Sequence, residues 1–156
     1  LKQYVAGGGK LLVMDSLDNG GKTGSKLIHQ FGMKFKRPYT PLSGKLAVSD
    51  GWPAPTVKNS LEIEGGEPFV TLGGRTVGAQ VKYNKGEVWA IGFADRFTDN
   101  QMGFIANVTP KDDLVPVFEY VFTLLRQMVE GHKESTTTAP ARPPALLFPE
   151  VFRKFP

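Results

Sequence analysis

The stretch "TVGAQVKYNKGEVWAIGF", residues 76–93, constrains the fold most. Val77, Ala79, Val81 and Tyr83 alternate with polar positions, Asn84-Lys85-Gly86 turns the chain, and Val88 to Phe93 is almost wholly apolar. A period of two on either side of such a turn predicts a β-hairpin. The apolar second strand reads as central, and the amphipathic first strand as nearer an edge. A further apolar run, "KLLVMD" (10–15), reads as a buried parallel strand. Two apolar strands far apart in the chain, with helical segments between and after them, define an α/β class.

The remaining segments fit round these strands. Leu1, Tyr4 and Val5 share one helical face, and Gly7 to Gly9 stop that helix. A domain rarely opens on the tail of a helix, so polypeptide is expected to precede Leu1. "SKLIHQF" (25–31) reads as a short helix ended by Gly32, and "MKFK" (33–36) as the start of a strand. Residues 37–56, with Pro38, Pro41, Pro53 and Pro55, read as an irregular excursion. Trp52 within it reads either as a loop anchor on the core or as a ligand platform. "SLEIE" (60–64) and "FVTL" (69–72) read as strands, and residues 94–110 as a polar loop. Thr109-Pro110 with Asp112 and Asp113 starts a helix with suitable capping chemistry. That helix runs to Glu130, with an apolar face from Leu114 to Val129 and a possible kink at Pro116. Three regions result: a domain over 1–131, a Thr/Pro-rich linker over 132–145 and an apolar-basic tail over 146–156. The tail reads as docking on its own domain or on a partner chain.

Composition narrows the function classes. Hydrophobic residues make up 40% of the 156 and charged residues 22%, which suits a globular domain with a real core. The net charge of +4 is scattered, as in Lys34, Lys36 and Arg37, and reads as a solvated surface rather than a nucleic-acid footprint. There is no cysteine, so thiolate metal sites and a cysteine nucleophile are excluded within this chain. No apolar run is long enough for a membrane span. Asn107-Val108-Thr109 matches a glycosylation sequon.

"LLVMDSLDNGGKTGSKLIHQFG" (11–32) resembles the setting of a phosphate-binding loop, with Gly21-Lys22-Thr23 in the terminal positions. Ser16 stands where the first glycine belongs, and the helix is predicted to begin a turn too late, at residue 25, to aim its N-terminus at a phosphate. The stretch reads instead as a strand-exit corner. In open α/β sheets ligands bind at that edge. The candidate ligand-binding residues are therefore Asp15, Ser16, Asp18, Asn19 and Lys22 from one loop, and Asp95, Arg96, Asp99 and Asn100, with Gln101, from the other. Asp15, Asp95 and Asp99 could offer oxygen ligands to a cation, but strand-exit turns favour Asp and Asn in any case. Neither a metal nor a cofactor is expected.

"YVAGGGKLLVMD", then "SKLIHQFGMKFK", and later "GEVWAIGFADRFTDNQMG" with "VFEYVFTLLRQ", are similar to a recurrent pattern of class I glutamine-amidotransferase-like domains. That group includes domains beside gliding-motility-type transporters. The resemblance covers about residues 1–130. It implies a flavodoxin-like three-layer α/β sandwich, mainly parallel with an antiparallel hairpin, of which this chain would hold the C-terminal portion. Active members need a cysteine and a His-x-Glu pair. This chain has no cysteine, Phe31 stands two after His29, and Glu134, two after His132, falls in the linker. The resemblance therefore implies a non-catalytic interaction or structural module. Its sheet would be completed by an upstream segment or a partner chain, with no nucleic acid and no membrane span of its own. The Thr/Pro-rich linker leans the setting towards an extracytoplasmic or membrane-associated assembly. The alternatives are a binding domain for a small polar ligand or sugar at the strand-end loops, and a fragment of a hydrolase or nucleotide-using enzyme.

Overall fold

The computed structural model describes residues 1–20, 22–37, 39–49, 51–102 and 114–130; for Asp99 and Asn100 it describes the backbone alone. The elements in chain order are α1 (Lys2–Ala6), β1 (Lys10–Met14), α2 (Lys22–His29), β2 (Lys34–Phe35), β3 (Leu42–Lys45), β4 (Ala47–Val48), β5 (Thr56–Ser60), β6 (Ile63–Glu64), β7 (Glu67–Leu72), β8 (Arg75–Tyr83) and β9 (Gly86–Ile91). A 3-10 helix (Ala94–Phe97), α3 (Asp99–Met102) and α4 (Val115–Glu130) follow. The expected linker and tail, the sequon and the capping residues Asp112 and Asp113 lie outside the described residues.

The main sheet has five strands in the order β1-β9-β8-β7-β4. Only β1 and β9 run parallel; the other three pairs are antiparallel. The fold is thus mixed α/β with a strand-rich open sheet, and the mainly parallel sheet expected above does not form. Parallel neighbours need a long crossover. β7, β8 and β9 are instead joined by tight turns at Gly73-Gly74 and Asn84-Lys85, which permit only antiparallel pairing. Asn84 takes a left-handed backbone (φ 53°), which asparagine tolerates.

The hairpin forms at the expected place, and β9 is central and buried. β8 is not near an edge: it is the middle strand of the five. β1 is parallel as expected but not fully buried. Among the described residues it is an edge strand, with Met14 40% exposed. Pro116 sits in the first turn of α4, where no backbone N–H is needed.

Alternation along β9 divides the core. Val88 and Ala90 face one side, where Val5, Ile28, Met33 and Phe35 pack. Trp89 and Ile91 face the other, where Val77, Tyr120, Leu124 and Met128 pack. Trp52 joins the second cluster, its ring 5.7 Å from that of Tyr120 and 6.2 Å from that of Phe69. Close approach of backbone requires glycine at both ends of β9. A Cβ at Gly86 would collide with the carbonyls of Val5 and Gly9, and one at Gly92 with the carbonyl of Leu61. At Gly92 the chain entering β6 crosses the end of β9, with Leu61 N–H donating to Gly92 C=O (2.7 Å).

Candidate functional site

Because β1 and β9 are parallel neighbours, the loops leaving their carboxyl ends emerge side by side, as the sequence predicts. Ala94 N–H donates to Asp15 C=O (3.0 Å) and ties them together. Asp15 is buried. Its Oδ1 accepts from Ser16 N–H (2.8 Å) and its Oδ2 from Gly24 N–H (3.0 Å). The carboxylate thus occupies the first turn of α2, where a bound phosphate would seek the same N–H groups. α2 begins at Lys22, a turn earlier than expected, because Asp15 supplies the anion its N-terminus favours. Gly24 must be small there: a Cβ would lie 2.5 Å from Asp15 Oδ2 and 2.7 Å from the Phe35 ring.

The other candidates divide. Ser16 is buried beside Asp15, while Asp18, Asn19 and Lys22 are exposed. Arg96 turns away from the first loop. Its Nε donates to Thr56 C=O (3.1 Å) and its Nη1 to Gln101 C=O (3.0 Å), which fastens the 3-10 helix and α3 to β5. Asp99 and Asn100 open α3. Asp95 is half-buried, and its Oδ1 has no hydrogen-bond partner among the described residues. Burial raises its pKa first, and the charge of Asp18 raises it further. Among the described residues no group of three or more His, Asp or Glu side chains is placed to hold a metal.

A different surface was not singled out in the sequence. Lys22, Lys26 and His29, at helical spacing on α2, line a shallow groove of about 750 Å³ together with Lys34, Arg37 and Glu64. Lys34 pairs with Glu64 at 2.9 Å, and that hydrogen bond holds the Glu64 carboxyl below its ordinary range. The spacing of 22, 26 and 29 was the available signal. It gains meaning only once β2 is known to lie beside α2.

No family model matches the chain, and no curated protein matches it either. Among solved structures, it is similar to the Gan42B β-galactosidase of glycoside hydrolase family 42 from G. stearothermophilus. That match has a TM-score of 0.50 at 15% identity and covers 83% of this chain and 19% of that one. A β-galactosidase from Bacillus circulans sp. alkalophilus gives a TM-score of 0.46 at 13% identity, over 79% of this chain and 20% of that one. The exo-β-1,4-mannosidase Op5Man5 from Opitutaceae bacterium strain TAV5 gives 0.43 at 19% identity, over 64% and 20%. The chain therefore spans about a fifth of the length of these structures. The amidotransferase-like resemblance is overturned by the match at a TM-score of 0.50, which is to a glycoside hydrolase. Its motifs were apolar and glycine positions, which unrelated α/β corners share.

Proposed function

We propose that this chain is a non-catalytic interaction domain of a larger protein of the glycoside-hydrolase kind, with the hydrolytic carboxylates outside it. The observation that supports this best is the use made of Asp15. Glycoside hydrolysis takes two carboxyl groups about 5–9.5 Å apart with a sugar between them. In the strand-exit corner, Asp15 is buried and bonded to two backbone N–H groups, so it is unavailable as acid, base or nucleophile. The border of β1 at Leu12 and Met14, which no strand covers among the described residues, supports the interaction role, since an edge strand offers a ladder to a neighbour. Full-length protein assayed on aryl β-galactosides and β-mannosides tests the reading. Hydrolysis is expected, with D18N and D95N leaving kcat/KM within about twofold. Loss of a hundredfold or more in either variant overturns the non-catalytic part, and no hydrolysis of any glycoside overturns the hydrolase part.

A second reading rests on Asp95 Oδ1, which is closed from solvent and has no hydrogen-bond partner among the described residues, with Asp18 near it and the exposed Asn19 and Lys22 on the same loop as Asp18. It makes the corner an acceptor site for the hydroxyls of a small polar ligand or sugar. Calorimetric titration with galactose and mannose should then give binding that D95N abolishes; no heat from either sugar removes this reading.

A further inference from the structure

We infer that the groove between α2 and β2 binds a polysaccharide that carries acid groups, carboxylate or sulfate. The chain's basic excess is concentrated here. Residues 19–49 hold Lys22, Lys26, Lys34, Lys36, Arg37 and Lys45 and no Asp or Glu, so the rest of the chain is net acidic. The fold sets most of these cations round one groove. Lys22, Lys26 and His29 form one rim along α2, ~10 Å long, and Lys34 and Arg37 line the other side. Ser25 Oγ accepts from Phe35 N–H (3.2 Å) and ties the two sides together.

Little of this charge is compensated. Among the described residues the ion pairs of this region join Lys34 to Glu64 (2.9 Å) and Lys36 to Glu62 (3.0 Å). Lys22 and Lys26 are exposed and have no ion pair among the described residues. They stand four apart on one helix, where like charges weaken the helix, so a bound anion relieves a repulsion that the fold otherwise carries. Arg37 is steadied without being neutralised. Its Nε donates to Tyr39 Oη (2.9 Å), and its guanidinium carbon lies 5.3 Å from the centre of that ring. A guanidinium held in this way presents a fixed fork to an acid group.

The lining favours one kind of polyanion. Phe35 is 2% exposed, so the groove offers no aromatic face on which the bases of a single-stranded nucleic acid could stack. An acidic peptide would use an apolar pocket for an anchor side chain or a strand edge for its backbone. Phe35 is buried, and its N–H is already taken by Ser25. A polysaccharide needs neither feature: lysine ammonium groups donate equally to its hydroxyls and to its acid groups. The choice of a glycan rests on the glycoside-hydrolase reading; the anion site itself does not.

Calorimetric titration of the full-length protein tests this with polygalacturonate for carboxylate, heparin for sulfate and neutral galactan as control. One or both acidic chains should bind, the arm that binds naming the acid group, and affinity should fall as salt rises. K22E/K26E should weaken binding by roughly tenfold, and R37A by roughly threefold. K22Q/K26Q removes the same charges without reversing them and should act in the same direction, and unchanged circular dichroism and melting will show that the variants fold. K58E/K82E makes the same charge change at exposed positions outside the groove and should leave affinity within about twofold. Four results overturn the inference: neither acidic glycan binds; neutral galactan binds as tightly as they do; polyglutamate or single-stranded DNA binds more tightly than both; or K22E/K26E loses no more than K58E/K82E, which would make the attraction one of net charge alone. Hydrolysis of neutral aryl glycosides is a separate readout. Its absence with acidic-glycan binding intact sinks the hydrolase reading alone, and the converse sinks this inference alone.

Discussion

Two borders of one sheet are built in opposite ways. At the carboxyl ends of β1 and β9, polar side chains turn inward and are taken up: Asp15 by the N–H groups of Ser16 and Gly24, Arg96 by the carbonyls of Thr56 and Gln101. Along the lateral border of β1, the ladder groups of Leu12 and Met14 meet no strand among the described residues. The corner is rich in functional-group chemistry but spends it on holding the chain. The flank has little such chemistry, yet it is where capacity for contact remains. Polar residues at a strand exit satisfy nearby backbone first, because a buried N–H without a partner costs more than an exposed side chain gains.

Substitutions can break that contrast. D15A should have the largest effect, about 3 kcal/mol of stability, because it strands two backbone donors beside a void. Urea unfolding would show it, and a loss below about 0.5 kcal/mol would mean the corner does not depend on that carboxylate. R96A should cost about 1–2 kcal/mol by releasing the 3-10 helix from β5, with faster amide exchange over 94–102. Y120F should be neutral or stabilise by up to about 1 kcal/mol. The Tyr120 hydroxyl is buried without a partner among the described residues, and Phe93 and Trp52 surround the ring at 5.7 Å. Burial alone holds that phenol protonated well beyond its ordinary range. V129K should change stability by less than about 0.5 kcal/mol, because Val129 is 79% exposed.

The sequence was most legible where local pattern and turn chemistry agree. The 76–93 hairpin, the KLLVMD strand and the helix ending at Glu130 all appear, because alternation, Asn84 and a wide apolar stripe each specify one answer. That both strand-exit loops open at one carboxyl edge was legible too, though the direct pairing of β1 with β9 was not. Sheet order was not. An amphipathic strand such as β8 can face half-covered layers from the middle of a sheet, so its polarity misreported its position. An apolar strand such as β1 can lie at an edge when its neighbour is supplied from elsewhere. The start of α2 was missed because Asp15, nine residues before Gly24, serves as its anion, and no local rule reaches that far. At the candidate site, residue types pointed to the strand-exit corner without revealing that Asp15 and Arg96 bond inward. The cationic groove escaped because it joins one face of α2 to residues from β2 onward.

The smallest expected effect separates the two carboxylates of the corner. Asp95, unlike Asp15, is half-buried with one oxygen lacking a partner among the described residues, and burial and then Asp18 raise its pKa above the ordinary 3.8. A folded state with the higher pKa binds the proton more tightly than the unfolded chain. Protonated Asp95 therefore favours folding below the ordinary carboxylate range, and that contribution is lost as pH rises through its raised titration. The difference in unfolding free energy between wild type and D95N should thus decline as pH rises from about 4 and level off once Asp95 is charged in both states. D18N should shift that decline towards lower pH without removing it, because Asp18 is the second cause and burial the first. Urea titrations between pH 3 and 7 on the three proteins would measure this. A difference curve flat across the whole range would mean that Asp95 is solvated like an ordinary surface acid, and the corner would then hold one committed carboxylate and one free one.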